Sequence, residues 1–174
     1  YGQYKRINSH CGQLGKGLFW GGMPPHVQAQ GLGVVHFAKI MLAHKNISLE
    51  GKRCLITGSQ HTAMAVAEKL LQLGAIPITF SDSSGNVYEP DGFDAGRLRN
   101  MQQIKQDRAA RVGRYILAST SARFNDPVDV YSIPCDYVFA CSTNERLTDA
   151  DIETLAGNGC QGIIEGTQQV MTDK

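Results

Sequence analysis

The chain lacks any imbalance of charge. Its 17 Lys and Arg residues stand against 16 Asp and Glu, a net charge of +1 over 174 residues. No global field therefore selects nucleic acid or a strongly acidic partner. It also lacks an apolar run of 18 residues and a legible signal-peptide pattern, so no membrane helix is expected. The five cysteines, Cys11, Cys54, Cys135, Cys141 and Cys160, form no C-x-x-C pair. Three of them sit in or beside apolar runs. They read as reduced, partly buried thiols, and the expected setting is an intracellular reducing compartment, mitochondrial matrix or cytoplasm. His10, His26, His36, His44 and His61 show no metal-ligand spacing with Cys or acids, so no metal is expected. No G-x-S-x-G elbow is present either, which removes one signature of a serine hydrolase. Tyr1 stands where a methionine would open a translated chain, and the sequence reads as a processed or truncated product.

What is present is glycine and alternating pattern. The length suits one domain with a real core, and 19 glycines suit an α/β domain with many tight turns. The densest information lies between Arg53 and Gly85. A short apolar run, Cys54 to Thr57, ends at Gly58. Ala63, Val66, Ala67 and Leu70 then follow helical spacing, and Gly74 stops the helix. A second β-branched run, Ile76 to Phe80, ends in Ser81 and Asp82. Strand, turn, helix, strand, with an acid closing the second strand, is the layout of a dinucleotide-binding βαβ unit.

The remainder continues the alternation. Residues 1–30 are glycine-rich and read as loop. Val34, Phe37, Ala38, Met41 and Leu42 form a helical stripe between about Gln28 and His44. Asn86 to Tyr88 suits a short strand. Asp94 to about Arg111 looks helical, with Leu98, Met101 and Ile104 on one side and many basic residues. Residues 119–134, broken by Pro127 and Pro134, read as an edge loop. Asp136 to Cys141 is a third main strand. Thr148 offers a helix N-cap, with Asp149 and Asp151 in the favourable first turn. Gln161 to Glu165 is a fourth strand. The expected fold is a doubly wound, mostly parallel Rossmann-type sheet with helices on both faces, strands near 53–57, 76–80, 136–140 and 162–165. The expected organisation is one domain over residues 1–174 with a loop-rich entry at 1–30.

The candidate cofactor residues lie at the strand ends. Gly58, Ser59, His61 and Thr62 occupy the phosphate loop and the helix start. The fingerprint wants G-x-G-x-x-G/A, and this chain has Gln60 at the second glycine, where backbone N–H groups should meet the pyrophosphate. Gly58 is equally suited to a plain strand-to-helix turn. Asp82 suits ribose hydroxyls, Ser83 with a nearby cation suits a 2′-phosphate, and Ser81 to Gly85 also suits a simple turn. Lys105, Arg108, Arg111 and Arg114 make a basic face that is either solvated or a site for phosphates, an RNA backbone or an acidic partner. No interleaved aromatics support the RNA reading.

Tyr1 to Ile7 (YGQYKRI), Gly15 to Gly17, Trp20 to Gly22, Gly31 to Val35 and Leu49 to Arg53 resemble the hexameric glutamate dehydrogenases, in order along the chain. So do Ser81 to Gly85, Pro134 to Asp136, Asn158 to Cys160, and Glu165 with Gly166. The resemblance implies the family's NAD- or NADP-binding domain. It implies that the catalytic lysines, the aspartate and most of the 2-oxoglutarate site belong to another domain, absent here, as is the family's return segment. It places Lys105 at a lysine that faces the 2′-phosphate in NADP-type members, and Thr143 in the strand-end motif beside the cofactor. The departures fall in the cleft. His26, Gln28 and Gln30 replace an arginine, a glutamate and a threonine, and Gln60 and His61 replace glycine and asparagine. Ser142 to Arg146 and Thr167 to Val170 also depart from the family pattern.

Two readings follow. In one, the chain is a non-catalytic, pseudoenzyme-like component of a larger assembly or homo-oligomer, with protein partners and no tightly bound cofactor. In the other, it is the NADP-binding part of an active oxidoreductase whose catalytic domain lies outside the chain. Leu18, Phe19, Trp20, Met23 and Val27 would face that domain, and are expected either to seek cover from a partner or to fold back.

Overall fold

The structure, a computed structural model, describes residues 26–107, 109–142 and 147–167, with the side chains of His26 and Val27 set aside. The expectations for the 18–27 loop, Cys11, Arg108 and Thr143 lie outside these described residues. A helix, α1 (His26–Ala43), leads to strand β1 (Arg53–Thr57) and helix α2 (His61–Gln72). Then come β2 (Ile76–Pro77), β3 (Thr79–Asp82), β4 (Gly85–Tyr88) and α3 (Ala95–Gln106). A 3-10 turn (Val112–Ala118), β5 (Arg123–Asn125) and a second 3-10 turn (Pro127–Ser132) precede β6 (Tyr137–Ala140), α4 (Asp149–Gly157) and β7 (Gly162–Glu165).

Four strands form a parallel sheet in the order β2-β1-β6-β7. β1 and β6 occupy its centre, paired from Cys54↔Tyr137 to Thr57↔Ala140. Their continuous apolar sequences follow from burial on both sides. Cys54, Ile56, Tyr137 and Phe139 pack with Val35, Val66 and Leu70 beneath α1 and α2. Leu55, Val138 and Ala140 pack on the other face with Val130, Leu147 and Leu155. The sheet therefore has helices on both faces, as the alternation of pattern predicts.

The caps explain where helices start. The Asp94 carboxylate accepts from Gly96 N at 2.7 Å and Arg97 N at 2.8 Å, and opens α3. Thr148 and Asp151 form a reciprocal capping box at α4. Gly74, at φ +75°, ends α2 where the pattern places its stop.

Several elements differ from the sequence reading: α1 begins at His26, inside the stretch read as loop over 1–30, and α3 ends at Gln106, short of Arg111. The run expected as one strand over 76–80 divides. Ile78 N donates to Cys54 O, but the next contact across to β1 is the Thr79 hydroxyl, which accepts from Ile56 N and donates to Ile56 O, both at 2.9 Å. A side chain stands between the backbones, and β3 swings away to pair antiparallel with β4, which pairs with β5. The segment expected as loop over 119–134 supplies β5 and a 3-10 turn, with Pro127 at the turn's first positions, where its missing N–H costs nothing.

The stripe expected on α1 is also shifted. Val35 and Ala38 are buried, whereas Phe37 is 60% and Met41 54% exposed. The cause is the closeness of α1 to α2. A Cβ on Gly31 would stand 2.6 Å from Thr62 O and 2.7 Å from the Ala65 Cβ. The buried line therefore runs through Gly31, Val35 and Ala38. Phe37 and Met41 instead flank edge strand β7, along a groove of about 430 Å³.

Candidate functional site

β1 continues to a neighbour on one side of the sheet, and β6 to a neighbour on the other. The crevice beyond the carboxyl ends of these two strands is the topological switch point, where open α/β sheets hold ligands. Its rim is built from Gly58 and Ser59 after β1, and from Cys141 and Ser142 after β6. Gly58 has φ +83°, and a Cβ there would lie 3.1 Å from Cys141 O and 3.2 Å from Ser142 N. The glycine is thus required by the approach of the two strand ends.

Hydroxyl groups fasten this rim. Thr57 Oγ1 accepts from Cys141 N at 3.2 Å and Ser142 N at 3.3 Å. Gly58 N donates to Ser81 Oγ at 2.7 Å, while Ser81 N donates to Gly58 O. The first amide of the turn between β1 and α2 is therefore engaged inside the protein.

The start of α2 is more open. Gln60 is its N-cap residue, extended at ψ −178°, and its side chain makes no capping hydrogen bond. Gln60 and His61 are exposed, and Ser59 is buried. Thr62 Oγ1 donates to Gln30 Oε1 at 3.5 Å, and Gln30 Nε2 donates to Gly166 O at 3.0 Å. Gln30 thus joins α1, α2 and the end of β7, a structural task for one of the cleft departures. A groove of about 300 Å³ runs outward, lined by Ser59, Gln60, His61, Met64, Gln102 and Lys105.

A second cluster sits at the end of β3. Asp82 Oδ1 accepts from Ser84 N and Ser84 Oγ, and Oδ2 from Val112 N at 2.9 Å. Lys105 Nζ stands 4.0 Å from Oδ2 and donates to Ala110 O at 2.9 Å. Partial burial pushes the Asp82 carboxyl upward, but the Ser84 and Val112 hydrogen bonds and the Lys105 charge outweigh it, and the pKa falls below the ordinary value. Ser83 Oγ accepts from Arg111 Nη1 at 2.7 Å.

The structure therefore brings Asp82, Ser83 and Lys105 together, as the sequence reading groups them. It adds Arg111, which that reading placed only on a general basic face. No spacing rule links Arg111 to Ser83; the link arises because Val112 N is held by Asp82. Gly58, Ser59, His61 and Thr62 form a separate group at the helix start. Lys105 is turned inward, its side chain 13% exposed, so it does not share an open basic surface with Arg111 and Arg114.

A further polar constellation had no signal in the sequence. Glu89 is fully buried and accepts from Ser119 Oγ at 2.8 Å, from Ser121 Oγ and from Tyr115 OH, with Arg97 Nε 3.8 Å away. It secures the 112–121 segment to the end of β4. No cluster of metal-ligating side chains occurs among the described residues.

These features can be set beside known proteins. The family model for Glutamate/Leucine/Phenylalanine/Valine dehydrogenase matches residues 21–174. An NADP-specific glutamate dehydrogenase of Helicobacter pylori is 41% identical over 175 residues, covering 95% of this chain and 38% of that protein. One from Chlorella sorokiniana is 38% identical over 179 residues, covering 100% of this chain and 34% of that protein. The crystal structure of Plasmodium falciparum glutamate dehydrogenase superposes with a TM-score of 0.87 at 33% identity, covering 99% of this chain and 37% of the other. The chain thus spans little more than a third of the length of these relatives. Over that span, sequence and fold agree, and the chain belongs to the Glutamate/Leucine/Phenylalanine/Valine dehydrogenase family.

Proposed function

We propose that the chain is a glutamate-dehydrogenase-like dinucleotide-fold domain that binds its cofactor weakly, is non-catalytic by itself, and serves as a structural or interaction component of a larger assembly. Gln60 carries this reading. A pyrophosphate is held by backbone N–H groups at a helix start, which glycine leaves bare. Here the Gly58 amide is engaged by Ser81, and exposed Gln60 carries a side chain where the fingerprint has a bare glycine. The relatives are NADP-specific glutamate dehydrogenases, and this chain aligns with only part of each.

Protein partners, or further copies of the chain, fit this reading best. Nucleic acid binding through Lys105, Arg108, Arg111 and Arg114 is disfavoured by the inward bonding of Lys105 to Ala110 O. No helix among the described residues is long and apolar enough to cross a membrane.

The test is a titration of the purified chain with NADP and NAD, followed by thermal shift and calorimetry. Millimolar NADP is expected to stabilise by about 0.4 kcal/mol or less, the value of RT ln 2 when ligand equals Kd. Gln60→Gly is expected to tighten binding by about tenfold, or about 1.4 kcal/mol. Micromolar NADP affinity in the unaltered chain would overturn the proposal.

The second reading, the NADP-binding part of an active glutamate dehydrogenase, has a specific observation in its favour. Arg111 Nη1 donates to Ser83 Oγ at the end of β3, Lys105 Nζ stands 4.0 Å from the adjacent Asp82, and a serine flanked by cations suits a 2′-phosphate. If this reading holds, a longer protein containing this chain oxidises NADPH with 2-oxoglutarate and ammonium, and Lys105→Ala raises the KM for NADPH far more than that for NADH.

A further inference from the structure

At the opposite end of the sheet from the crevice, two thiols face each other. β6 and β7 run parallel with Tyr137 opposite Gly162, and Gln161 N donates to Asp136 O at 2.7 Å. Continuing that register two residues back sets Cys135 opposite Cys160. Adjacent strands lie about 4.7–4.9 Å apart, within the Cα separation of about 4.4–6.8 Å that a disulfide spans. Both side chains join the same apolar cluster, on the α4 face of the sheet. Cys160 Sγ donates to Gly162 O at 3.4 Å, and both thiols are free.

We infer that Cys135 and Cys160 form a reversible redox site, oxidised by peroxide to a disulfide that ties the base of β6 to the base of β7.

The two sulfurs are unequal, which assigns their roles. Cys160 is half-buried in the turn between α4 and β7, next to exposed Gly159 and Gln161, whereas Cys135 is 6% exposed. The neighbouring Cys135 thiol, opposed by burial and helped by the Gly162 and Val138 backbone, holds the Cys160 thiol below its ordinary value. The Cys160 neighbour and burial raise that of Cys135. Reactivity follows thiolate character and access. Cys54 and Cys141 are buried and pushed up to about 12, so they do not compete.

The chemistry balances with one peroxide. The Cys160 thiolate attacks a peroxide oxygen; the S–O bond forms, the O–O bond breaks, and the leaving hydroxide takes the proton that Cys160 gave up. Cys160 is then a sulfenic acid, and the peroxide has been reduced to water. Cys135 Sγ attacks the Cys160 sulfur; the S–S bond forms, the S–O bond breaks, and the hydroxide leaves with the Cys135 proton as a second water. A small thiol reverses the step by exchange.

The experiment treats the full chain with stoichiometric hydrogen peroxide, quenches with an alkylating reagent under denaturing conditions, and maps peptides by mass. The expected result is loss of alkylation at both Cys135 and Cys160, a linked peptide pair lacking two hydrogens, and recovery of both thiols with dithiothreitol. Cys135→Ser should stop at a Cys160 sulfenic acid that dimedone traps. Cys160→Ser should leave Cys135 alkylatable. The wild-type map needs no variant to fold. Peroxide that leaves both thiols free would overturn the inference. So would conversion of Cys160 to sulfinic acid with Cys135 untouched, or a disulfide from either residue to Cys11.

Discussion

Hydroxyl side chains do at the ends of the parallel strands what backbone amides do along their middles. Thr79 Oγ1 satisfies both polar groups of Ile56, which is fully buried. Replacing Thr79 by valine keeps the shape but leaves two buried backbone groups unpaired, at about 1–3 kcal/mol each. Thr79→Val is therefore expected to lower stability by roughly 2–6 kcal/mol in urea unfolding, and Thr79→Ser by far less. A valine variant as stable as wild type would show that the bond carries no weight. Asp82 gives a prediction in pH. Its folded pKa is depressed, so its contribution is fully present above the unfolded value and is lost as pH falls through the folded one. Asp82→Asn should cost roughly 1–2 kcal/mol at pH 7. The difference from wild type should shrink steadily as the pH falls below about 4. A gap that stays constant into acid would mean the charge is not what matters. The grouping of Asp82, Ser83 and Lys105 was legible, through strand-end logic and the family resemblance. Arg111 was not, because its place depends on how the chain returns after α3. Glu89 was not either, because no local pattern announces a carboxylate that the 3-10 segment will bury.

Helices were easier to read than strands, for physical reasons. α3 and α4 carry their own N-caps and α2 its glycine stop and periodic face, so local sequence places each of them, although α3 ends at Gln106, short of the expected Arg111. The division of β2 from β3 was hidden because threonine is a good strand former. Nothing in the sequence says that the Thr79 hydroxyl will stand between two backbones. The pattern locates α1 but not its buried face, because apolar Phe37 and Met41 draw the stripe, whereas the packed line is set by Gly31 at the crossing with α2. Two glycines two residues apart make this testable. Gly31→Ala places a methyl against Thr62 O and Ala65, and overpacking of this kind costs about 1–3 kcal/mol. Gly33 is exposed in the same helix, with nothing within 4 Å of an added Cβ. Gly33→Ala should stabilise by about 0.5–1 kcal/mol through helix propensity alone. Thermal or denaturant unfolding of the pair reads both signs, and equal effects would refute the close crossing.

Across the whole molecule, position in the sheet sets how firmly each strand is held. Doubly wound order was legible from alternating pattern, and the polar ends of Gln161–Glu165, beside the continuous apolar run of β6, fit the edge position that the structure gives β7. The structure puts β1 and β6 at the centre, covered on both faces. Among the described residues, β7 pairs only with β6; its apolar residues are half-buried and Glu165 is exposed. Few buried contacts and a single paired edge mean low local stability. Hydrogen exchange under native conditions should therefore divide the four strands. Peptides covering Leu55–Ile56 and Val138–Phe139 should exchange only with global unfolding. A peptide covering β7 should exchange at least about tenfold faster, a difference of about 1.4 kcal/mol in opening free energy. The contrast should hold in the reduced chain at concentrations low enough to keep copies apart, because a strand added to an open edge would protect it. Equal protection of β7 and β6 in a dilute, reduced sample would mean that the edge of this sheet is not where the structure puts it.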